Sequence, residues 1–459
     1  MVENQESSLG PEVAERPAAE VVNAVADALS RAEPAIAADL VRALKAPDLA
    51  DVIELLQPDD RVALIQALGS SFDYEVLSEL DETVRDQLSE ALPNELLARA
   101  VTELDTDDAA YVIEGMEESD KQEILAQIPS GDREALERNL DYPEDSAGRL
   151  MQADFVAVAP YWTVGNVIDH MRESDDLPDD FNEIFVVDPT FRVMGSVDLS
   201  RLLRSQRDIA VNTIMNPDRH IVLATEDQEA LARQFQRYDL MSAPVVDANN
   251  RLVGVVTVDD VVEVIQEEAE EDIKRLAGVG DERLTDSVAD IARPRFWWLF
   301  VNLGTAILAS AVIGMFGATI EKMVALAVLM PIVASMGGNA GTQTMTVAVR
   351  ALATKELTAA NVARVVVRET AVGLVNGAAF ALVMGLIAYA WFGSTRLGLV
   401  IGTAMIINLL AAALAGICIP LLLDRYKFDP AVSSTVFVTT VTDVVGFFAF
   451  LGLASIWLV

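Results

Sequence analysis

Asp443 stands twelve residues into the last apolar stretch of the chain, 431–459, in the run Val438-Thr439-Thr440-Val441-Thr442-Asp443-Val444-Val445-Gly446-Phe447. A lone carboxylate at bilayer depth costs on the order of several kcal/mol, so intramembrane acids are usually paired or line a cation pathway. The basic residues of this half lie near the ends of apolar stretches. Arg368 beside Glu369 is the nearest thing to an internal pair, which leaves Glu369 structural or gating and Asp443 the residue able to meet a cation.

A second constellation lies in the stretch 323–349, where Pro331 is followed by Gly337-Gly338-Asn339-Ala340-Gly341-Thr342-Gln343. Two readings fit. A proline and glycines that loosen the helix would present carbonyl and amide oxygens of the kind that meet a cation in a pore. The same small residues also suit a kinked helix–helix packing face. The presence of Asp443 favours the pore reading.

These groups must be carried by membrane elements. Five apolar stretches, 296–317, 323–349, 370–392, 397–423 and 431–459, reach the roughly 20 residues a span requires. An odd number puts the chain's two ends on opposite sides. Arg293, Arg295, Arg350, Lys355, Arg364, Arg368, Arg425 and Lys427 fall on one side, against Lys322 and Arg396 on the other. The positive-inside rule then predicts a cytoplasmic N-terminal half and a periplasmic C-terminus. Trp297, Trp298, Trp391 and Trp457 suit interfacial anchors.

Charge divides the 459 residues sharply: 1–289 hold 23 Lys+Arg and 64 Asp+Glu, whereas 290–459 hold 10 and 7. An acidic soluble half repels nucleic acid and attracts metal cations. One cysteine, Cys418, and two histidines, His170 and His220, leave few soft ligands, so the metal implied is a hard, oxygen-liking ion. The polar segment 1–11 shows no cleavable signal peptide, and 1–19 is expected to be disordered.

The soluble half repeats itself. Ile184-Phe185-Val186-Val187-Asp188 with Val193 to Leu199 recurs as Ala243-Pro244-Val245-Val246-Asp247 with Leu252 to Val258, at a constant offset of 59. Each copy predicts strand, turn, strand and helix and resembles one half of a tandem CBS pair. Upstream, 51–60 is echoed by 111–120, with apolar residues at helical spacing, which predicts a stack of short helices. Following the second CBS-like copy, Asp260, Glu263, Glu267, Glu271 and Asp272 share one face of a predicted helix. Like charges there repel unless cations intervene, although the charge run taken alone favours an ordinary solvated acidic helix.

Taken in order, these segments resemble the MgtE magnesium transporter family over nearly the whole chain. The most specific matches are Pro331 to Gln343, Asp429-Pro430-Ala431-Val432, and Thr439 to Gly446, with Asp145-Ser146-Ala147-Gly148-Arg149-Leu150-Met151 introducing the CBS pair. The resemblance implies a multi-domain membrane protein. Its parts are an all-α superhelical N domain (20–140), an α/β CBS pair (141–265), a plug-like connecting helix (266–292) and a five-helix transmembrane bundle (293–459).

It further implies a homodimeric, non-enzymatic Mg²⁺ channel of the inner membrane. Asp443 and Asn339 match pore positions, with Gly338 and Thr435 placed beside them. Asp227, Asp239, Asp260, Glu263, Glu268, Glu271 and Asp272 match cytosolic Mg²⁺-sensor positions, Asp107 and Asp108 are their N-domain partners, and Asp429 links sensor to pore. The chain departs from the family at Ser434-Thr435-Val436, where a Ser-Gly-Pro-like step is common, and at Glu263, where aspartate is more usual. ATP binding at the CBS pair is a family property that no residue here decides. The competing readings are a secondary Mg²⁺ or Co²⁺ carrier and a membrane-anchored Mg²⁺ or nucleotide sensor.

Overall fold

Proline at the first helical positions and acids in first turns start the short helices of the N-terminal segment, where missing or exposed N–H groups cost least. A computed structural model describes residues 19–174, 177–178, 180–280, 282, 288–358 and 360–458. The segment 1–18, expected to be disordered, lies outside them. The chain divides into two units, Met1–Gln266 and Glu267–Val459.

In the first unit, α1 (Ala19–Ser30), α2 (Pro34–Val41), α3 (Ala46–Leu55), α4 (Pro58–Leu68), α5 (Glu82–Ala91), α6 (Asn94–Glu103), α7 (Thr106–Glu114), α8 (Glu118–Gln127) and α9 (Ser130–Leu140) stack around one apolar core. The 60-residue echo is structural. Arg61 donates to the Glu54 carbonyl at 2.9 Å, and Lys121, sixty residues on, donates to the Glu114 carbonyl at 2.6 Å. In both copies a basic side chain from the second helix caps the C-terminal end of the first.

Next come β1 (Ala157–Val158), α10 (Val164–Glu173), β2 (Glu183–Val187), β3 (Val193–Asp198), α11 (Leu199–Leu203) and α12 (Val211–Ile214). They are followed by β4 (Val222–Leu223), α13 (Gln228–Tyr238), β5 (Ser242–Val246), β6 (Leu252–Thr257) and α14 (Val258–Ala277). Each half forms a three-stranded sheet with one parallel and one antiparallel pair, ordered β1-β2-β3 and β4-β5-β6. The offset of 59 maps Glu183–Val187 onto Ser242–Val246 and preserves even the register irregularity, between Val186 and Val187 in one copy and Val245 and Val246 in the other. Helix α14 continues through residues 265 and 266 because no glycine or proline interrupts 258–277.

The second unit holds α15 (Val288–Gly314), α16 (Gly317–Lys322), α17 (Ala325–Ala353), α18 (Val362–Phe392), α19 (Thr395–Arg425) and α20 (Pro430–Trp457). Five of these are long and apolar enough to span a membrane. Helix α19 packs on α17, α18 and α20 and carries the largest share of the buried residues, whereas α15 leaves Phe296, Trp297, Leu299 and Phe300 exposed. Arg368 pairs with Glu369 at 3.0 Å, as the sequence suggested.

One expectation is corrected. Pro331 and the following glycines do not open the helix, since α17 runs unbroken from Ala325 to Ala353. The buried glycines Gly337 and Gly341 instead let α19 and α20 approach: a Cβ on Gly341 would lie 2.5 Å from Val438 and 3.7 Å from the Ala412 carbonyl. Small residues permit such close backbone packing between membrane helices. On the same helix Ser335, Asn339 and Gln343, spaced by four, stay exposed.

Candidate functional site

The membrane candidates gather on α17 and α20. Asp443 is half-buried on α20, one helical turn beyond Thr439, and a Cβ added to Gly338 would meet the Thr439 methyl at 3.8 Å. The step carrying Asn339 therefore lies along the face of α20 that leads to Asp443. The threonine hydroxyls are spent within α20: Thr439 donates to the Thr435 carbonyl at 2.9 Å, Thr440 to Val436 at 2.6 Å and Thr442 to Thr439 at 3.0 Å. These bonds free no backbone group and leave the carboxylate as the charged feature of the segment.

At the start of α20, Asp429 is the N-cap, accepting from the Ala431 N–H at 2.8 Å. Arg275 of α14 donates to its other oxygen at 2.6 Å and also pairs with Glu271. Thr435 donates to the Leu276 carbonyl at 3.0 Å. The last turn of α14 thus touches the first two turns of α20. Glu271 and Asp429, expected as metal ligands, already share a cation in Arg275. Glu268 and Asp272 lie half-buried on the same helix.

A second site forms in the first unit, where the first turns of α7 and α14 bring acids together. Asp107 and Asp108 open α7, and Asp260 opens α14. Burial first, then the charges of Asp260, Asp108 and Asp105, push the Asp107 carboxyl well above the usual carboxylate range. Its Oδ1 is enclosed and has no hydrogen-bond partner among the described residues.

Burial also leads for Asp108, raised to about 7 with Asp260, Asp105 and Glu263 adding to it and a hydrogen bond with Ser78 opposing. Asp260 rises to about 6, burial again leading, although it accepts from the Thr257 hydroxyl at 2.6 Å. Uncompensated acids at such closeness resist ionising together unless a cation joins them. Among the described residues no three acidic, histidine or cysteine side chains converge as a direct ligand shell. The donor set suits a hard ion held through its waters, the habit of Mg²⁺.

Asp227 and Asp239 are held by a different helix. They flank α13 at opposite ends, Asp227 as its N-cap accepting from Ala230 at 3.1 Å and Asp239 as a left-handed C-cap. Eleven helical residues, about 16 Å at 1.5 Å each, separate those ends.

Sequence reasoning missed Asp105, although it stands beside Asp107 and Asp108. It also missed Arg275, a basic residue in an acidic run, and Asn408, a lone amide in an apolar span. Asn408 is completely buried and donates to the Val333 carbonyl at 2.8 Å.

Comparison with known proteins places the chain in a family. Residues 330–453 match the MgtE divalent cation transporter family, 48–145 the MgtE intracellular N domain, and 147–208 and 211–267 the CBS domain. The magnesium transporter MgtE of Thermus thermophilus is 36% identical over 342 residues, covering 73% of this chain and 75% of that protein. The Enterococcus faecalis transporter is 33% identical over 319 residues, covering 70% of each. A crystal structure of the cytosolic domain of the Mg²⁺ channel MgtE in complex with ATP is 30% identical, with a TM-score of 0.48 over 53% of this chain and 99% of that one. With the Bacillus subtilis magnesium transporter MgtE also 30% identical across 72% of the chain and 74% of its own length, this chain belongs to the MgtE family of magnesium transporters.

Proposed function

We propose that this multi-pass membrane protein is a homodimeric Mg²⁺ channel of the bacterial inner membrane, with its N-terminus cytoplasmic, and that cytosolic Mg²⁺ closes it. The observation that carries the reading is Asp443, a half-buried carboxylate midway along α20, one turn beyond the Thr439 that faces the glycine step bearing Asn339. One carboxylate per chain calls for a second copy to make a symmetric divalent site. Two of them can hold a hydrated ion through water, which spares the cost of stripping Mg²⁺. A negative-inside potential supplies about 4.6 kcal/mol per divalent ion per 100 mV, so inward flux needs no hydrolysis.

Closure is assigned to the acids of α7 and α14. Asp107, Asp108, Asp260 and Glu263 would hold the regulatory ion, whose charge offsets their mutual repulsion and keeps the N domain against the CBS pair. Glu268, Asp272, Asp227 and Asp239 are proposed as further sensor positions through the family resemblance. ATP is proposed as a ligand of the CBS pair on the CBS resemblance alone, and calorimetric titration of the full chain tests it.

The deciding experiment is inside-out patch recording on reconstituted protein, comparing wild type with Asp443→Ala as cytosolic Mg²⁺ is stepped from micromolar to about ten millimolar. Current that falls as Mg²⁺ rises, and is lost in the variant, supports the channel and its gate. Voltage-independent tracer flux without current would instead establish a carrier, and wild-type activity in Asp443→Ala would remove the pore role.

A further inference from the structure

Asn408 is the buried polar side chain of α19 and sits where three membrane helices meet. Its Nδ2 donates to the Val333 carbonyl of α17 at 2.8 Å, while its Oδ1 is enclosed without a partner among the described residues. Both neighbouring helices present it with a glycine. A Cβ on Gly446 of α20 would lie 2.7 Å from Nδ2 and 3.1 Å from Oδ1, and one on Gly337 of α17 would overlap the same amide.

Gly446 is three residues beyond Asp443, and Gly337 is two before Asn339. The amide therefore acts as a wedge between the two segments assigned to the pore, and its thickness sets how closely they approach. A wedge required only for packing would be better made of carbon, because an amide oxygen without a partner is costly inside a membrane.

We propose that Asn408 is a positioning residue for Mg²⁺ passage: it fixes the placement of Asp443 on α20 relative to Asn339 on α17 by filling the space that Gly337 and Gly446 leave open. The assignment rests on Asp443 being the pore carboxylate. A misplacement of about an ångström at an ion-binding group can cost up to about a hundredfold in function, so a small change in the wedge should be felt in the affinity for the ion.

The test uses the full-length protein in liposomes, reading half-saturating external Mg²⁺ and maximal flux per folded protein. Gly446→Ala, which adds a methyl against the amide, is expected to raise half-saturation at least about tenfold. Asn408→Ala is expected to shift it as well, and combining the two should bring it back toward wild type, because the new methyl enters the vacated space. Asn408→Leu, of similar size, loses the donor to Val333 and should give an intermediate shift even if the alanine variant folds poorly.

Unchanged half-saturation in the single variants, or a double variant no better than Gly446→Ala, overturns the positioning role. Asp443→Asn separates the two ideas. Wild-type flux in that variant overturns the pore reading and this assignment with it, whereas an inactive Asp443→Asn beside unshifted Asn408 variants overturns this assignment alone.

Discussion

Arg275 reaches Asp429 at 2.6 Å while also pairing with Glu271, so the cap of α20 is tied to the last turn of α14 by a cation built into the chain. At positions where the family resemblance leads one to expect Mg²⁺, an arginine already offsets two acids. The junction therefore has cohesion of its own, and under the proposed gating the metal would supply only part of the closing energy.

Replacing Arg275 with glutamine leaves Glu271 and Asp429 facing one another without that charge. A partly exposed charge-assisted pair is worth about 1 kcal/mol, so the cytosolic Mg²⁺ required for half-closure should rise about fivefold. Patch recording at stepped cytosolic Mg²⁺ reads the shift. An unchanged midpoint would show that the pair does not contribute to closure.

The soluble acid cluster gives a pH dependence of known sign. Asp108 and Asp260 are raised to about 7 and about 6, so the folded state holds protons that the unfolded chain releases near pH 4. Their stabilising effect is complete below about pH 4 and is lost as pH rises to about 7. In a chelator, hydrogen-exchange protection at α7, corrected for the intrinsic pH dependence of amide exchange, should therefore be greater at pH 5.5 than at pH 8, and saturating Mg²⁺ should narrow the difference. Asp108→Asn should weaken both the pH and the Mg²⁺ responses.

Asp227 and Asp239 hold the ends of α13, so their alanine variants confound metal binding with helix stability. Loss of the Asp227 cap alone costs about 1 kcal/mol. Asp227→Ser keeps a capping oxygen, and Asp239→Gly suits the positive φ of 52°. If the carboxylates bind cation, these two variants should lose Mg²⁺ protection against proteolysis while keeping a melting temperature close to wild type in chelator.

The glycines of α17 and α19 should separate by role. A Cβ on Gly416 would meet the Gly341 carbonyl at 2.7 Å, whereas one on Gly338 meets nothing nearer than 3.8 Å. Gly416→Val is expected to lower the melting temperature in detergent by several degrees or to prevent assembly, and Gly338→Ala to leave it nearly unchanged. A flux defect in Gly338→Ala with normal melting would then report on the ion path alone.

The sequence alone determined the elements and their kinds. Five long apolar runs can be satisfied in lipid only as helices, the 59-residue offset marked two copies of one strand–turn–strand unit, and the 60-residue echo marked stacked short helices, to which the structure adds the shared register shift and the caps made by Arg61 and Lys121. It also singled out Asp443, since an acid in an apolar run stands out one residue at a time. Tertiary structure decided which distant groups meet. Asp107 and Asp260 are 153 residues apart, and only folding brings them within reach of each other's charge. Pro331 and its glycines suggested an opened helix because local rules count backbone breakers, but packing against α19 and α20 keeps α17 continuous. Asn408 and Arg275 carry no periodic or motif signal. Their importance comes from burial and from partners on other helices, which is information a linear chain does not contain.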